Sequence, residues 1–274
     1  MHALPFVLAL LAAALLAHPL LRALSEGGHV KANFRGRSVA FPFGVLSLVG
    51  ALLALIPLAL LQRLEVAEVF HPEMLAVALY VVGVAFLGLV DDTLGGEPRG
   101  WRGHGRAVLR MRFSTGALKA LGSLGLALYA TGYVEPSTGR WLLASAVLVL
   151  ATNAFNLLDL RPGRATKVFV LLGGGLTIGT ASVRPLWVLG LFVGPALVAG
   201  LYDLRERAML GDTGANLLGA LAGLWLVLSL STLGQAIALG ILLAITVYGE
   251  LRSITKLVER MPLLRGLDSW GVPR

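Results

Sequence analysis

Nine apolar runs take up most of the chain, near residues 3–24, 42–62, 74–90, 115–132, 141–158, 166–182, 185–201, 214–231 and 234–249. Each approaches the ~20 residues that a helix needs to cross the roughly 30 Å hydrocarbon core of a bilayer. In lipid a backbone must satisfy its own hydrogen bonds, so each run is expected to be a helix. The expected fold class is an all-α polytopic membrane protein of about nine to ten transmembrane helices, with residues 1–274 as a single transmembrane domain. Composition agrees, since 57% of the residues are hydrophobic and only 14% charged, against about 25% charged in soluble chains. The first run, ALPFVLALLAAALLA, has no basic stretch before it and many spans after it. It reads as a retained helix rather than a cleaved signal.

Basic residues set the orientation. Nearly all of the 23 Lys and Arg fall in the connections 25–41, 91–114, 159–165 and 202–213 and in the tail from 250, whereas the other side holds Arg63, Arg140 and Arg184. By the positive-inside rule the first set is cytoplasmic, the N-terminus is outside and the C-terminus is cytoplasmic, as in a multi-pass membrane protein. The net charge of +8 is then mostly topological. It adds some affinity for anionic lipid or phosphorylated substrate, and nucleic acid is not needed to explain it.

A second asymmetry goes beyond that rule. All six aspartates (Asp91, Asp92, Asp159, Asp203, Asp212, Asp268) and all four asparagines (Asn33, Asn153, Asn156, Asn216) fall on the expected cytoplasmic side. Polar groups in or beside a membrane are costly and need a reason, so this face reads as a site. The chain has no cysteine, and its histidines (His2, His18, His29, His71, His104) form no metal-binding pair. Thiolate chemistry and zinc held by Cys or His are therefore not expected.

Three segments carry the chemistry. In GLVDDTLGG, Asp91 and Asp92 end the third run, and adjacent carboxylates repel unless a cation or a basic partner balances them. In NAFNLLDLRPGRATK, Asn153, Asn156 and Asp159 stand at i, i+3 and i+6, on one side of a helix. Their hard oxygens suit Mg²⁺, and Arg161, Arg164 and Lys167 beside them suit phosphate. A helix end with topological arginines would explain the arginines, but not two asparagines one and two turns back in the membrane. In MLGDTGANLLG, Asp212 is either a helix cap or a site carboxylate, and Gly211 and Gly214 permit close backbone approach. Two basic loops complete the face, one with Asn33 and Arg35, the other with His104 and then Lys119 a turn inside the fourth helix. Such a collection suits metal-assisted phosphoryl chemistry on a lipid.

GLVDD, NAFNLLD and MLGDTGANLLG, in that order and on one membrane face, resemble the signatures of the polyprenyl-phosphate N-acetylhexosamine-1-phosphate transferases. The resemblance implies a bundle of about ten helices and a cytoplasmic site. It also implies Mg²⁺ (or Mn²⁺) and transfer of a sugar 1-phosphate from a UDP-sugar to undecaprenyl phosphate, with release of UMP. The implied partners are the polyprenyl phosphate, the UDP-sugar nucleotide and the membrane, with a homodimer left open. Carried across, Asp212 is a metal ligand with Asn156 or Asp159 helping. Asp91 and Asp92 position or deprotonate the lipid phosphate or contact the metal, and Lys119 meets substrate phosphates. Asn33, Arg35, His104, Asn153, Arg161 and Arg164 are the substrate-binding candidates.

Two departures stand out. Where relatives read DGLDGLA, this chain reads DLRPGRA, so Leu160 replaces a glycine, Pro162 replaces an aspartate, and Arg161 and Arg164 are added. Where many relatives carry a histidine-rich loop, the tail reads KLVERMPLLRGLDSWG. Both argue for a divergent branch and against the pentapeptide translocase itself. A non-catalytic relative that binds lipid phosphate or nucleotide is the nearest alternative. A transporter would place its charges near mid-membrane on broken helices, whereas here they gather at one face.

Overall fold

The computed structural model describes residues 2–64, 69–70, 72–95, 114–132, 135 and 137–273. The apolar runs fold as helices: α1 (Leu4–Glu26), α2 (Val45–Arg63), α3 (Met74–Leu94), α4 (Thr115–Gly132), α5 (Thr138–Leu158), α6 (Arg164–Thr180), the short α7 (Arg184–Val188), α8 (Gly190–Leu204), α9 (Gly211–Ser229) and α10 (Thr232–Leu251). Two short helices, α11 (Ile254–Arg260) and α12 (Pro262–Ser269), form the tail. Among the described residues, α1, α2, α3, α5, α9 and α10 are long and apolar enough to cross a membrane. The protein is thus an all-α membrane protein. The run at 185–201 comes out as two helices, α7 and α8.

Serine marks three helix starts. Ser137, Ser231 and Ser253 each accept a bond from a backbone N–H in the first turn of α5, α10 and α11, which satisfies donors that a helix start leaves open.

α9 is the axis of the bundle. Almost all of its side chains are buried, whereas α1 and α10 present most of theirs outward. The α9 sequence explains this, because Gly214, Ala215, Gly219, Ala220, Ala222 and Gly223 are small enough for α3, α5 and α6 to pack closely around it. Below the site, Phe155, Phe169 and Trp225 stack edge to face, at 6.5 and 5.8 Å between centroids. α1, α2 and α8 pack together on one side, and α4 and α10 flank α3 and α5 on the other.

One end of the bundle gathers the connections that matter. A hairpin of β1 (Val30–Ala32) and β2 (Ser38–Ala40), with Val30 opposite Ala40, lies there. The chain after β2 runs beside the entry to α9, where Phe43 and Gly44 donate to the carbonyls of Met209 and Leu210 at 2.8 and 2.9 Å. The ends of α3, α5, α8 and α10 and the starts of α4, α6 and α9 meet at this end.

Candidate active site

Asp91 and Asp92 are neighbours in sequence but face different tasks. Asp92 turns to the start of α9 and accepts from the backbone N–H groups of Asp212 and Thr213 at 2.9 and 2.8 Å, and from the Thr213 hydroxyl at 2.6 Å. The cap of α9 therefore comes from α3, and Asp212 is left to do something else. Two glycines make this contact possible. A Cβ on Gly88 would stand 2.4 Å from the Asp212 carbonyl oxygen, and Gly211, the first residue of α9, turns the chain at φ +70°.

Asp91 turns the other way, toward α4. The Lys119 ammonium lies 3.1 Å from the Asp91 carboxylate and also bonds Asp212, so one lysine bridges two carboxylates from two helices. This is the anionic partner that a lysine a turn inside the fourth helix requires. The three side chains are mostly shielded from solvent, so the arrangement is electrostatically stronger than an exposed pair.

Beside the bridge opens a cavity of about 380 Å³. Asp91 and Lys119 line it together with Thr152, Asn153, Asn156 and Asn216. Asn153 donates to the Thr246 hydroxyl at 3.3 Å, and Glu250 stands at the rim one turn further along α10. Asn216 is almost fully buried on α9, and its side-chain oxygen has no hydrogen-bond partner among the described residues. Asp159 caps the end of α5. Burial, and then the charges of Asp203, Asp212 and Asp92, push its carboxyl well above the usual carboxylate range.

The donor set suits a hard divalent cation. Among the described residues no group of three or more His, Asp or Glu stands close enough to hold a metal by itself. Mg²⁺ asks for less than that, typically one or two carboxylates completed by waters and substrate phosphates. Asp91 and Asp212 already share one cationic partner, and Asn156 adds a neutral oxygen to the same cavity wall.

The remaining candidates go elsewhere. Asn33 organises the hairpin, accepting from the N–H groups of Arg35 and Arg37 at 2.9 and 3.0 Å and donating to Glu206 at 3.3 Å. Arg35 pairs with Glu206 at 3.0 Å and donates to the Pro273 carbonyl at 2.6 Å. Arg164 makes a two-pronged bond to Asp268 at 2.7 and 2.8 Å and reaches the Thr255 hydroxyl at 3.2 Å. Arg161 pairs with Glu259 at 3.3 Å and covers the Phe34 ring at 4.7 Å. The two arginines that depart from the family pattern thus bind the tail that also departs from it. Asp203 accepts the Gly163 N–H at 2.7 Å and so pins the turn between α5 and α6. His104 lies outside the described residues.

Sequence reasoning passed over Asn216, Thr246 and Glu250 as site residues. The signal was present in part, because Asn216 follows Asp212 by four residues and Glu250 follows Thr246 by four, each pair on one helix face.

No family model matches the chain. Two curated relatives do, both phospho-N-acetylmuramoyl-pentapeptide-transferases. That of Synechococcus sp. (strain JA-3-3Ab) is 31% identical over 248 residues, covering 81% of this chain and 68% of the relative. The chain belongs to the polyprenyl-phosphate N-acetylhexosamine-1-phosphate transferase superfamily. The transferase of Synechococcus sp. (strain JA-2-3B'a(2-13)) is 34% identical over 169 residues, 57% of this chain, and there the match spans about half of the relative, 48%. Membership places the chain among membrane phosphotransferases that act on a polyprenyl phosphate, as a divergent member of that superfamily.

Proposed function

We propose that the chain transfers a sugar 1-phosphate from a UDP-sugar to undecaprenyl phosphate at the cytoplasmic face of a bacterial inner membrane and releases UMP. The observation that carries this reading is the Lys119 bridge between Asp91 and Asp212, beside a cavity that Asp91 and Lys119 line with Asn153, Asn156 and Asn216. In the reaction, an oxygen of the lipid phosphate attacks the phosphorus that bears the sugar. A new P–O bond joins the two phosphates, the bond to the bridging oxygen breaks, and its electron pair leaves with UMP.

Asp212, Asn156 and Asp91 would hold Mg²⁺ (or Mn²⁺), which supplies Lewis-acid stabilisation of charge on the phosphoryl oxygens. Lys119 places a second positive charge where those oxygens gather. Asp92, with its carboxylate engaged by α9, is a positioning residue that fixes Asp212 rather than a base. Asn153 and Asn216 offer neutral hydrogen bonds deeper in the cavity, where sugar or nucleotide hydroxyls can be held. Arg161 and Arg164 act on the tail, not directly on phosphate. An open apolar groove of about 530 Å³ between α6, α10 and the tail helices gives the prenyl chain a wall to lie against.

The test is UMP release by purified protein with undecaprenyl phosphate, Mg²⁺ and a panel of UDP-sugars. The relatives' names put an N-acetylmuramoyl-pentapeptide donor first in that panel. Release with one donor, lost without metal and in Asp212→Asn, establishes the transferase and names its donor. Binding of nucleotide or lipid phosphate with no release from any donor would move the reading to a non-catalytic relative.

A further inference from the structure

The tail helices α11 and α12 are seven and eight residues long, far too short to cross a bilayer. They follow directly on α10, whose last turns line the cavity, so they start at the membrane surface on the site's face. Their inner side is fixed to the bundle. Asp268 takes the two-pronged bond from Arg164, Lys167 donates to the carbonyls of Asp268 and Trp270, and Arg161 holds Glu259.

The outer side has a different character. Leu263 and Trp270 are 77% and 72% exposed, and a spacing of seven residues puts them on one side of the segment, away from Asp268. Arg252, Lys256 and Arg260 recur at every fourth residue, and Arg265 follows on α12. All four are exposed, and none makes an ion pair among the described residues. The tail's own carboxylates, Glu259 and Asp268, are both engaged by arginines of the bundle. What faces outward is therefore a short apolar strip flanked by cations, with Asp268 turned inward and the more exposed Glu259 taken up by Arg161.

The geometry points to an interfacial anchor: α11 and α12 lie in the headgroup region of the adjacent leaflet, with Leu263 and Trp270 in the acyl boundary and Arg252, Lys256, Arg260 and Arg265 on anionic phospholipid headgroups. Three physical preferences meet in it. Tryptophan favours the membrane interface, basic amphipathic segments bind there through apolar area, and cations near a bilayer are drawn to anionic lipid. Charge complementarity selects lipid over a second copy of the chain, because the same strip on a partner would set four cations against four. This inference does not depend on the proposed reaction.

The absence of cysteine makes the test clean. Leu263→Cys and, separately, Trp270→Cys are labelled with an environment-sensitive fluorophore, and the full chain is placed in vesicles of neutral phosphatidylcholine with or without phosphatidylglycerol. The expected result is blue-shifted emission and a severalfold loss of quenching by aqueous iodide with the anionic lipid, relative to the same label at Arg37→Cys in the hairpin. Changing Arg252, Lys256, Arg260 and Arg265 together to Gln should abolish the dependence on lipid charge. Labels as open to iodide as the hairpin label in both vesicles would overturn the proposal. Shielding that is equal in both lipids, or that follows protein density rather than lipid charge, would overturn it too, and the second case would name another copy of the chain as the occupant.

Discussion

The two ends of the bundle both carry ion pairs, yet they are built differently. At the far end each described carboxylate has its own arginine: Glu135 pairs with Arg140 at 2.8 Å, and Glu73 pairs with Arg184. Both arginines are about half exposed, while Glu135 is buried and Glu73 mostly covered, so each is a one-to-one pair whose cation stays open to solvent. At the site end Lys119 is shared by Asp91 and Asp212, Asp92 serves the backbone of α9, and Asp159 stands among like charges. The described carboxylates of the far end are paired one to one, while within the site Asp91 and Asp212 share a single ammonium and Asp92 and Asp159 make no ion pair among the described residues. A protein that needed only to fix its helix ends would use the first arrangement at both ends. The second is what a site for a further cation and a phosphate looks like.

The largest effect expected from breaking this contrast is at Asp212. Asp212→Asn removes one carboxylate from the shared lysine and, on the proposed reading, the principal metal ligand. UMP release should fall by at least about 10²–10³-fold, the scale of losing one electrostatic stabiliser of a transition state, with the protein still folded. Glu135→Gln, at the far end, should leave the same assay within about twofold, since it lies away from the site and leaves behind an arginine that is already half exposed to water. Equal losses in both would erase the distinction between the ends.

Next comes the closeness of α3 and α9. Gly88→Ala places a methyl 2.4 Å from the Asp212 carbonyl oxygen, so α9 must move away and Asp92 loses its grip on the α9 N–H groups. Forcing an extra methyl into such a contact costs about 1–3 kcal/mol. The thermal midpoint in detergent should drop, and turnover with it. Gly132→Ala, near the far end of α4, meets nothing closer than the Trp141 indole nitrogen at 3.7 Å, and it should leave both unchanged. If Gly88→Ala is as harmless as Gly132→Ala, the α3–α9 contact does not position the site.

Much of this was legible in the sequence because its physics is local. Run length and hydropathy marked where the apolar helices lie, though not how 185–201 divides, and the gathering of Asp and Asn pointed to one end of the bundle. Asp91, Lys119, Asn153 and Asn156 do line one cavity wall. The division of labour between Asp91 and Asp92 was not legible, because which of two adjacent carboxylates faces α4 and which faces α9 depends on how α3 is rotated in the bundle. Arg161 and Arg164 were harder still. Their charge and their place beside NAFNLLD suggested phosphate, but their partners Glu259 and Asp268 stand about a hundred residues away. The unusual turn and the unusual tail looked like two departures from the family pattern and are one, since each supplies the charges the other binds.

That joint departure yields the smallest effect expected at neutral pH, and the one with a definite sign in acid. Burial alone would raise the Asp268 carboxyl, but the bonds and charge of Arg164, with Lys167 and Arg161 nearby, hold it below the usual carboxylate range. A carboxyl whose folded value is depressed stabilises the docked tail fully above its unfolded value of about 3.9, and the contribution is lost as pH falls through the lower folded value. Hydrogen exchange of residues 262–270, corrected for its intrinsic pH dependence, should therefore be flat from neutral pH down to mild acid and rise only below the ordinary carboxylate range. In Asp268→Asn the tail should be looser from neutral pH down to mild acid and the acid step should vanish, so that the two proteins converge in strong acid, while Glu135→Gln leaves the tail untouched. A tail equally protected in Asp268→Asn would mean that this bidentate pair, with its nearly buried arginine, contributes nothing to holding the tail. The tail would then be held by its apolar wall against α6 and α10 rather than by charge.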